Sequence, residues 1–185
     1  MLIVTKKFKI YVDFDGVIKD THKALFDDYH KLNSQGEYVS DTEHVIKKDW
    51  IYVLEKSPII NNAIKIVNEL DDPSAVCTRV HSLENESVAK IRDLRHLGLK
   101  KEIILVPYQL KKTDVVPAEG NILADDAIFN CDEWYQDKGI PIFFDNYGTN
   151  IDGWGVENKK YVRTRTLEIL KDRNQLEAII KNYYK

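Results

Sequence analysis

The 185-residue chain carries 27 lysines and arginines against 30 aspartates and glutamates, a formal net charge of −3. A balance this close to neutral removes the electrostatic case for a nucleic-acid polymer or an anionic membrane as the main partner, so a phosphorylated ligand would need local cations. With 43% apolar and 31% charged residues, the composition is that of a soluble globular protein. The length suits one core plus an insertion, burying roughly 70% of the unfolded surface.

Met1 to Ile10 is apolar only in short pieces cut by lysines. It therefore has neither the apolar stretch of a secretion signal nor a membrane span, and the expected location is the cytoplasm. Cys77 and Cys131 form no CxxC pair and fall in segments that read as strand and helix. The expectation is two reduced, buried thiols without a catalytic role.

In chain order, Phe8 to Phe14 reads as a strand. It runs into Asp13-Phe14-Asp15-Gly16, two acids one residue apart where an apolar run breaks at a glycine. From Asp20 to Pro58 the pattern turns helical: Ala24, Leu25, Tyr29 and Leu32, then Val45, Ile46, Trp50, Val53 and Leu54 after an N-cap at Ser40 or Asp41. A strand-to-helix connection in an α/β unit takes only about 2–6 residues. Residues 19–58 are thus read as a helical insertion, and residues 1–18 and 59–185 as the α/β core.

A helix is expected from Ile59 to Leu70, turned by Asp72-Pro73 into a strand from Ser74 to Thr78. Ser82 to Leu97 reads as an amphipathic helix with Leu83, Val88, Ile91 and Leu94 on its apolar face and Gly98 as its stop. Strands follow at Ile103 to Val106, Ile122 to Ala124 and Ile140 to Phe144. A helix from Ala127 to Lys138, closed by Gly139, separates the last two. A short strand at Tyr161 to Arg163 and a helix from Leu167 to Tyr183 complete the chain. Strands alternating with helices predict an α/β fold, a Rossmann-like parallel sheet in a three-layer α/β/α sandwich.

Three of these strands end in reactive side chains: Asp13 and Asp15, Thr78, and Asp125 with Asp126. Lys111 and Lys112 precede the fourth strand. All strand C-termini of an open parallel sheet face one edge, so these groups can converge. Clustered carboxylates raise one another's pKa unless a cation sits among them, and hard oxygen ligands suit Mg²⁺. One carboxylate can attack phosphorus while another moves protons. A threonine hydroxyl and a lysine ammonium can hold the phosphoryl oxygens. Each piece alone has a blander reading, as a turn, a strand-end hydroxyl, a helix cap or a solvated lysine pair. Order and spacing together favour a phosphoryl-transfer site.

The same residues resemble the four motifs of the haloacid-dehalogenase-like (HAD) superfamily, over roughly residues 8 to 145. Asp13-Phe-Asp15-Gly-Val resembles motif I (DxDG[VT]), Val76-Cys77-Thr78 motif II, Lys111 or Lys112 motif III, and Leu123-Ala124-Asp125-Asp126 motif IV. The resemblance implies Asp13 as nucleophile and Mg²⁺ ligand. Asp15 would be the general acid/base, binding the metal through its backbone carbonyl. Thr78 and the lysine would bind phosphate, and Asp125 would complete the metal site with Asp126 in support. Lys112 is preferred over Lys111 because the Lys-Thr-x-Val that it opens resembles a segment of some family nucleotidases.

An insertion between motifs I and II has the placement of a C1 cap, which limits substrates to small molecules. Its size and the Asp pair of motif IV resemble the 5′(3′)-deoxyribonucleotidase group. A nucleoside monophosphate is thus the expected substrate, with a sugar phosphate, or a non-catalytic phospho-ligand role, as alternatives. Phe26, Tyr29, Trp50 and Tyr52 in the insertion are candidates for stacking on a base, Phe26 and Trp50 foremost. Arg79 and His81, after Thr78, and Lys19 and His22, after motif I, are candidate contacts to phosphate or a neighbouring hydroxyl. Residues 146–155, with Tyr147 and Trp154, read as a loop bordering the site. Two departures bear on the substrate: Arg-Val-His follows Thr78, and Ala127 stands where the nucleotidases often carry arginine.

Overall fold

The computed structural model describes residues 8–22, 24–25, 45–71, 73–145 and 162–183. Six parallel strands form one sheet: β1 (Ile10–Val12), β2 (Ser74–Val80), β3 (Glu102–Pro107), β4 (Ile122–Asp125), β5 (Ile140–Phe144) and β6 (Val162–Thr164). Their order is β3-β2-β1-β4-β5-β6. The order reverses direction at β1, which lies between β2 and β4, and ligands of doubly wound sheets bind at such a reversal.

The helices are α1 (Trp50–Lys56), α2 (Ala63–Glu69), α3 (Glu86–His96), α4 (Lys112–Val115), α5 (Ile128–Gln136) and α6 (Arg173–Tyr183). The expected C-terminal helix is divided: Leu167–Lys171 is a 3₁₀ turn, and α6 starts only after Asp172. The Asp172 carboxylate accepts from Gln175 N at 3.0 Å, the geometry of an N-cap that restarts the helix.

β1 is buried on both faces, as a central parallel strand must be. Ile10 and Val12 pack into the larger core cluster with Ile66, Val67 and Leu94, while Tyr11 points to the other face with Ala75, Leu123 and Trp134. The Tyr11 and Trp134 rings meet edge-on at 5.4 Å, and the Trp134 Nε1–H donates to Asn121 O at 3.0 Å. That indole lies so close to Gly139 that a Cβ there would fall 2.3 Å from it. Contact thus requires glycine here, while the left-handed residue after α5 is Lys138, at φ +61°.

Phe14 to Lys19 closes a single helical turn, with Ile18 N and Lys19 N both donating to Phe14 O. The chain then leaves and returns side by side: Asp20 N donates to Pro58 O and Ile60 N to Ile18 O, each at 2.9 Å. Between these points, Val45, Trp50, Val53 and Leu54 are buried, as their periodicity predicts, whereas Ile46 is exposed; Asp49 caps α1, and Ser40 and Asp41 lie outside the described residues. Both cysteines are buried and free. Among the described residues no helix is long and apolar enough to cross a membrane.

The inward face of α3 corrects the sequence reading. Leu94 is buried, but Leu83, Val88 and Ile91 are exposed. Glu86, Ser87, Ala89 and Lys90 turn inward instead, because Glu86 and Lys90 meet charged and polar partners beneath the helix. Buried charges with partners offset their desolvation in a way that periodicity alone does not reveal.

Candidate active site

The register sets the site. Val12 pairs with Val76 on one side and Ala124 on the other, so Asp13 leaves β1 beside Asp125, the last residue of β4. Asp13 N extends the ladder to Ala124 O at 2.9 Å. Thr78 lies two residues beyond Val76 on β2, at the level of Phe14. Carboxylate oxygens of Asp13, Asp125 and Asp126 all lie within 4.8 Å of one another.

Lys112 bridges the first two, its Nζ 2.7 Å from Asp13 and 2.6 Å from Asp125. Its side chain is buried, as the first residue of a one-turn helix packed against the site. Lys111 is exposed, and its backbone N–H donates to Asp114, so of the two lysines only Lys112 reaches the carboxylates. Asp125 also accepts from Ala127 N at 2.9 Å and from Asn130 Nδ2 at 3.1 Å.

Asp15 faces a different set of partners. Thr21 Oγ1 donates to its Oδ1 at 2.8 Å, and Lys90 Nζ to its Oδ2 at 2.5 Å. Thr78 Oγ1 stands 3.4 Å from the same Oδ2. Lys90 is fully buried; it also pairs with Glu86 at 2.7 Å and lies 5.0 Å over the Trp50 ring. The two carboxylates of the Asp-x-Asp pair are thus divided, Asp13 sharing the Lys112 ammonium with Asp125 and Asp15 sharing the Lys90 ammonium with Glu86.

Their proton affinities divide in the same way. Burial first, then the charges of Asp125 and Asp15, raises Asp13 to about 7 against the pull of Lys112. Asp125 and Asp126 are raised too, chiefly by burial. Burial also pushes Asp15 up, but the Lys90 ammonium and the hydrogen bonds from Lys90 and Thr21 more than offset it and hold Asp15 low. His22 Nε2 lies 3.0 Å from Asp126. Burial lowers His22, yet the hydrogen bond and charge of Asp126 bring it to about 9, so it is imidazolium at neutral pH.

Five carboxylates (Asp13, Asp15, Glu86, Asp125, Asp126) therefore meet three cations (Lys90, Lys112, His22). The acids Asp13, Asp125 and Asp126 share too little positive charge to stay ionised easily. Their all-oxygen donor set and burial fit a small, hard divalent cation, which would supply what is missing. Gly16 keeps this geometry open: its φ is +68°, and a Cβ would fall 1.8 Å from Asp126 Oδ2. Any side chain there would displace the third acid.

A cavity of about 370 Å³ opens over these groups, lined by Asp13, Asp15 and Asp126 together with His22, Trp50, Arg79, Tyr108 and Phe129. That is the small end of the range for small-molecule pockets. Arg79 reaches it, but its guanidinium is held by Glu133 at 2.9 Å and lies over the Phe129 ring. Trp50 is buried, its Nε1–H donating to Val45 O at 3.1 Å. Tyr52 is exposed and outside the cavity lining. Lys19 is turned away, to Leu54 O and Asp93. Phe26, Tyr29, Tyr147 and Trp154 lie outside the described residues.

Sequence reasoning passed over Lys90, Glu86, Thr21, Asn130, Tyr108 and Phe129. Glu86 and Lys90 stand at i, i+4, the spacing of an ordinary solvated helix pair. Phe129 and Asn130 fall in Asp125-Asp-Ala-Ile-Phe-Asn, a stretch that resembles the nucleotidase segment after motif IV, without a role of their own; Thr21 and Tyr108 carry no motif.

No family model matches the chain, and no curated protein matches it in sequence. Solved structures do match. A HAD hydrolase of family IA, variant 3, from Entamoeba histolytica aligns with a TM-score of 0.63 at 13% identity, over 95% of this chain and 100% of that one. A putative HAD-hydrolase of Bacillus subtilis bound to magnesium aligns at 0.56 and 15% identity, over 88% and 96%. A D,D-heptose 1,7-bisphosphate phosphatase of B. bronchiseptica, complexed with magnesium and phosphate, aligns at 0.56 and 11%, over 92% and 99%. The chain has the fold of HAD hydrolases, and at these identities the likeness is one of fold.

Proposed function

We propose that the chain is a Mg²⁺-dependent phosphomonoesterase that works through an aspartyl-phosphate, with a nucleoside monophosphate as substrate. The observation that carries this reading is Lys112 bridging Asp13 and Asp125 beside Asp126, at the C-terminal edge where the sheet order reverses.

Asp13 and Asp125, with Asp126 in support and the main-chain carbonyl of Asp15, would hold the metal. Bound Mg²⁺ supplies charge that shields the carboxylates from an incoming phosphate dianion. Asp13 attacks phosphorus, and the bond to the leaving oxygen breaks with its electron pair going to that oxygen. Asp15 moves the proton: the arriving dianion raises its proton affinity, it protonates the leaving oxygen, and as carboxylate it then takes a proton from the water that hydrolyses the acyl phosphate. Lys112 and the Thr78 hydroxyl hold the phosphoryl oxygens, and Arg79 stands at the rim of the same cavity. Residues 19–58 act as a small cap of C1 type, of which Trp50 lines the cavity.

A second substrate class, a sugar phosphate, has one observation in its favour, the shared fold of the heptose bisphosphate phosphatase. The test is phosphate release from a panel of nucleotides and sugar phosphates, with Mg²⁺ or chelator, by wild type and Asp13→Asn. Release that needs the metal and disappears in Asp13→Asn is the expected result. Release that persists in Asp13→Asn would overturn the mechanism.

A further inference from the structure

The expectation from sequence is that any base contact comes from the insertion, through Phe26 or Trp50. Trp50 is already engaged, its ring beneath the Lys90 ammonium and its N–H on Val45 O. Two other aromatic side chains line the cavity and keep open faces: Tyr108, 42% exposed, and Phe129, 46% exposed. Both belong to the core, Tyr108 directly after β3 and Phe129 in the first turn of α5.

Both rings are also braced. Tyr108 stacks on His81 at 4.2 Å with 25° between planes, and His81 is fixed through its backbone N–H to Glu86 at 2.7 Å. Phe129 carries the Arg79 guanidinium at 5.1 Å, itself tied to Glu133. The exposed faces of Tyr108 and Phe129 offer a flat π-system a stacking contact that a sugar, which has no π-face, does not match.

We infer that Tyr108 and Phe129 form a stacking platform on the core that selects phosphomonoesters whose leaving alcohol carries a planar aromatic ring system, a nucleoside in the simplest case. This rests on the phosphatase reading and names the residues that would set its substrate class. The experiment is kcat/KM with Mg²⁺ for adenosine 5′-monophosphate and for ribose 5-phosphate, in wild type, Phe129→Ala, Tyr108→Ala and Phe129→Trp. The wild-type ratio should favour the nucleotide, fall about tenfold in each alanine variant, as loss of base stacking on one ring predicts, and be retained in Phe129→Trp. A ratio at or below one in wild type, or one unchanged in both alanine variants, overturns the platform. If wild type turns over neither ester, the phosphatase reading fails. The ratio of Kd values from calorimetric titration of the same two esters then decides the platform by the same criteria.

Discussion

Stripped of metal, the site should make the protein less stable as the pH rises, opposite to the usual behaviour of paired carboxylates. The perturbation is a chelator, with pH varied between about 5 and 8. Asp13 binds its proton more tightly in the folded chain, at about 7, than in the unfolded chain, at 3.8. The folded state therefore gains stability by taking up that proton at low pH, and the gain is gone once the pH has risen through the folded value. Integrated from about pH 5 to about pH 8, this one group removes about 2–3 kcal/mol. Asp125 and Asp126, raised for the same reason, act in the same direction, as does His22 when the pH climbs toward 9. Asp15, held low by Lys90 and Thr21 against its burial, acts oppositely, and only below the ordinary carboxylate range. For a chain of this length 1 kcal/mol moves Tm by roughly 2–4 °C, so Tm in chelator should fall by about 5–10 °C across the interval. Differential scanning calorimetry measures it. Saturating Mg²⁺ should flatten the profile, because the cation competes with the proton for Asp13. A Tm in chelator that is flat or rises with pH would refute the crowding of acids on which the proposed metal site rests.

Gly16→Ala places a Cβ in the space of the Asp126 carboxylate and forces alanine into a left-handed backbone, a penalty of roughly 1–2 kcal/mol by itself. Mg²⁺ affinity by calorimetry should weaken at least tenfold, and an unchanged Kd would mean that Asp126 is not needed for the ion. Lys90→Met leaves a buried Glu86 and a half-buried Asp15 without their cation, a loss of about 3–5 kcal/mol in urea unfolding at neutral pH. A loss below about 1 kcal/mol would show that Lys90 does not hold the pair in solution.

What the sequence discloses, and what it hides, follows from the range of the interactions. Asp13, Asp15, Thr78 and Asp125 are legible because each stands at the end of a strand, where apolar patterning stops. The parallel sheet is legible because strand and helix periodicities alternate. A local string of residues favours Lys112 over its neighbour, and burial separates the two. Lys90 could not be found in this way: its partner Asp15 lies 75 positions away, and beside Glu86 it looks like a surface pair. The inward face of α3 is misread for the same cause, since charge pairing across the fold outweighs the placement of Leu83, Val88 and Ile91. Tyr108 and Phe129 are ordinary aromatic residues until two separate strand ends bring them to one cavity.

The stitching of α1 to α3 also limits what can move. Lys19 reaches both Leu54 O at 2.6 Å and Asp93 at 2.8 Å, and Asn85 donates to Ile46 O and Lys48 O. Three of these four bonds end on main-chain carbonyls, so substitutions on the outer surface of α1 leave them intact. Swinging α1 away from the core would break a charged hydrogen bond at Lys19 alone worth about 1.5–3 kcal/mol, and would uncover Lys90 as well. The Trp50 side of the cavity is in effect a fixed jamb rather than a door. Changing which ester fits there is then a matter of altering the inward residues Val45 and Trp50.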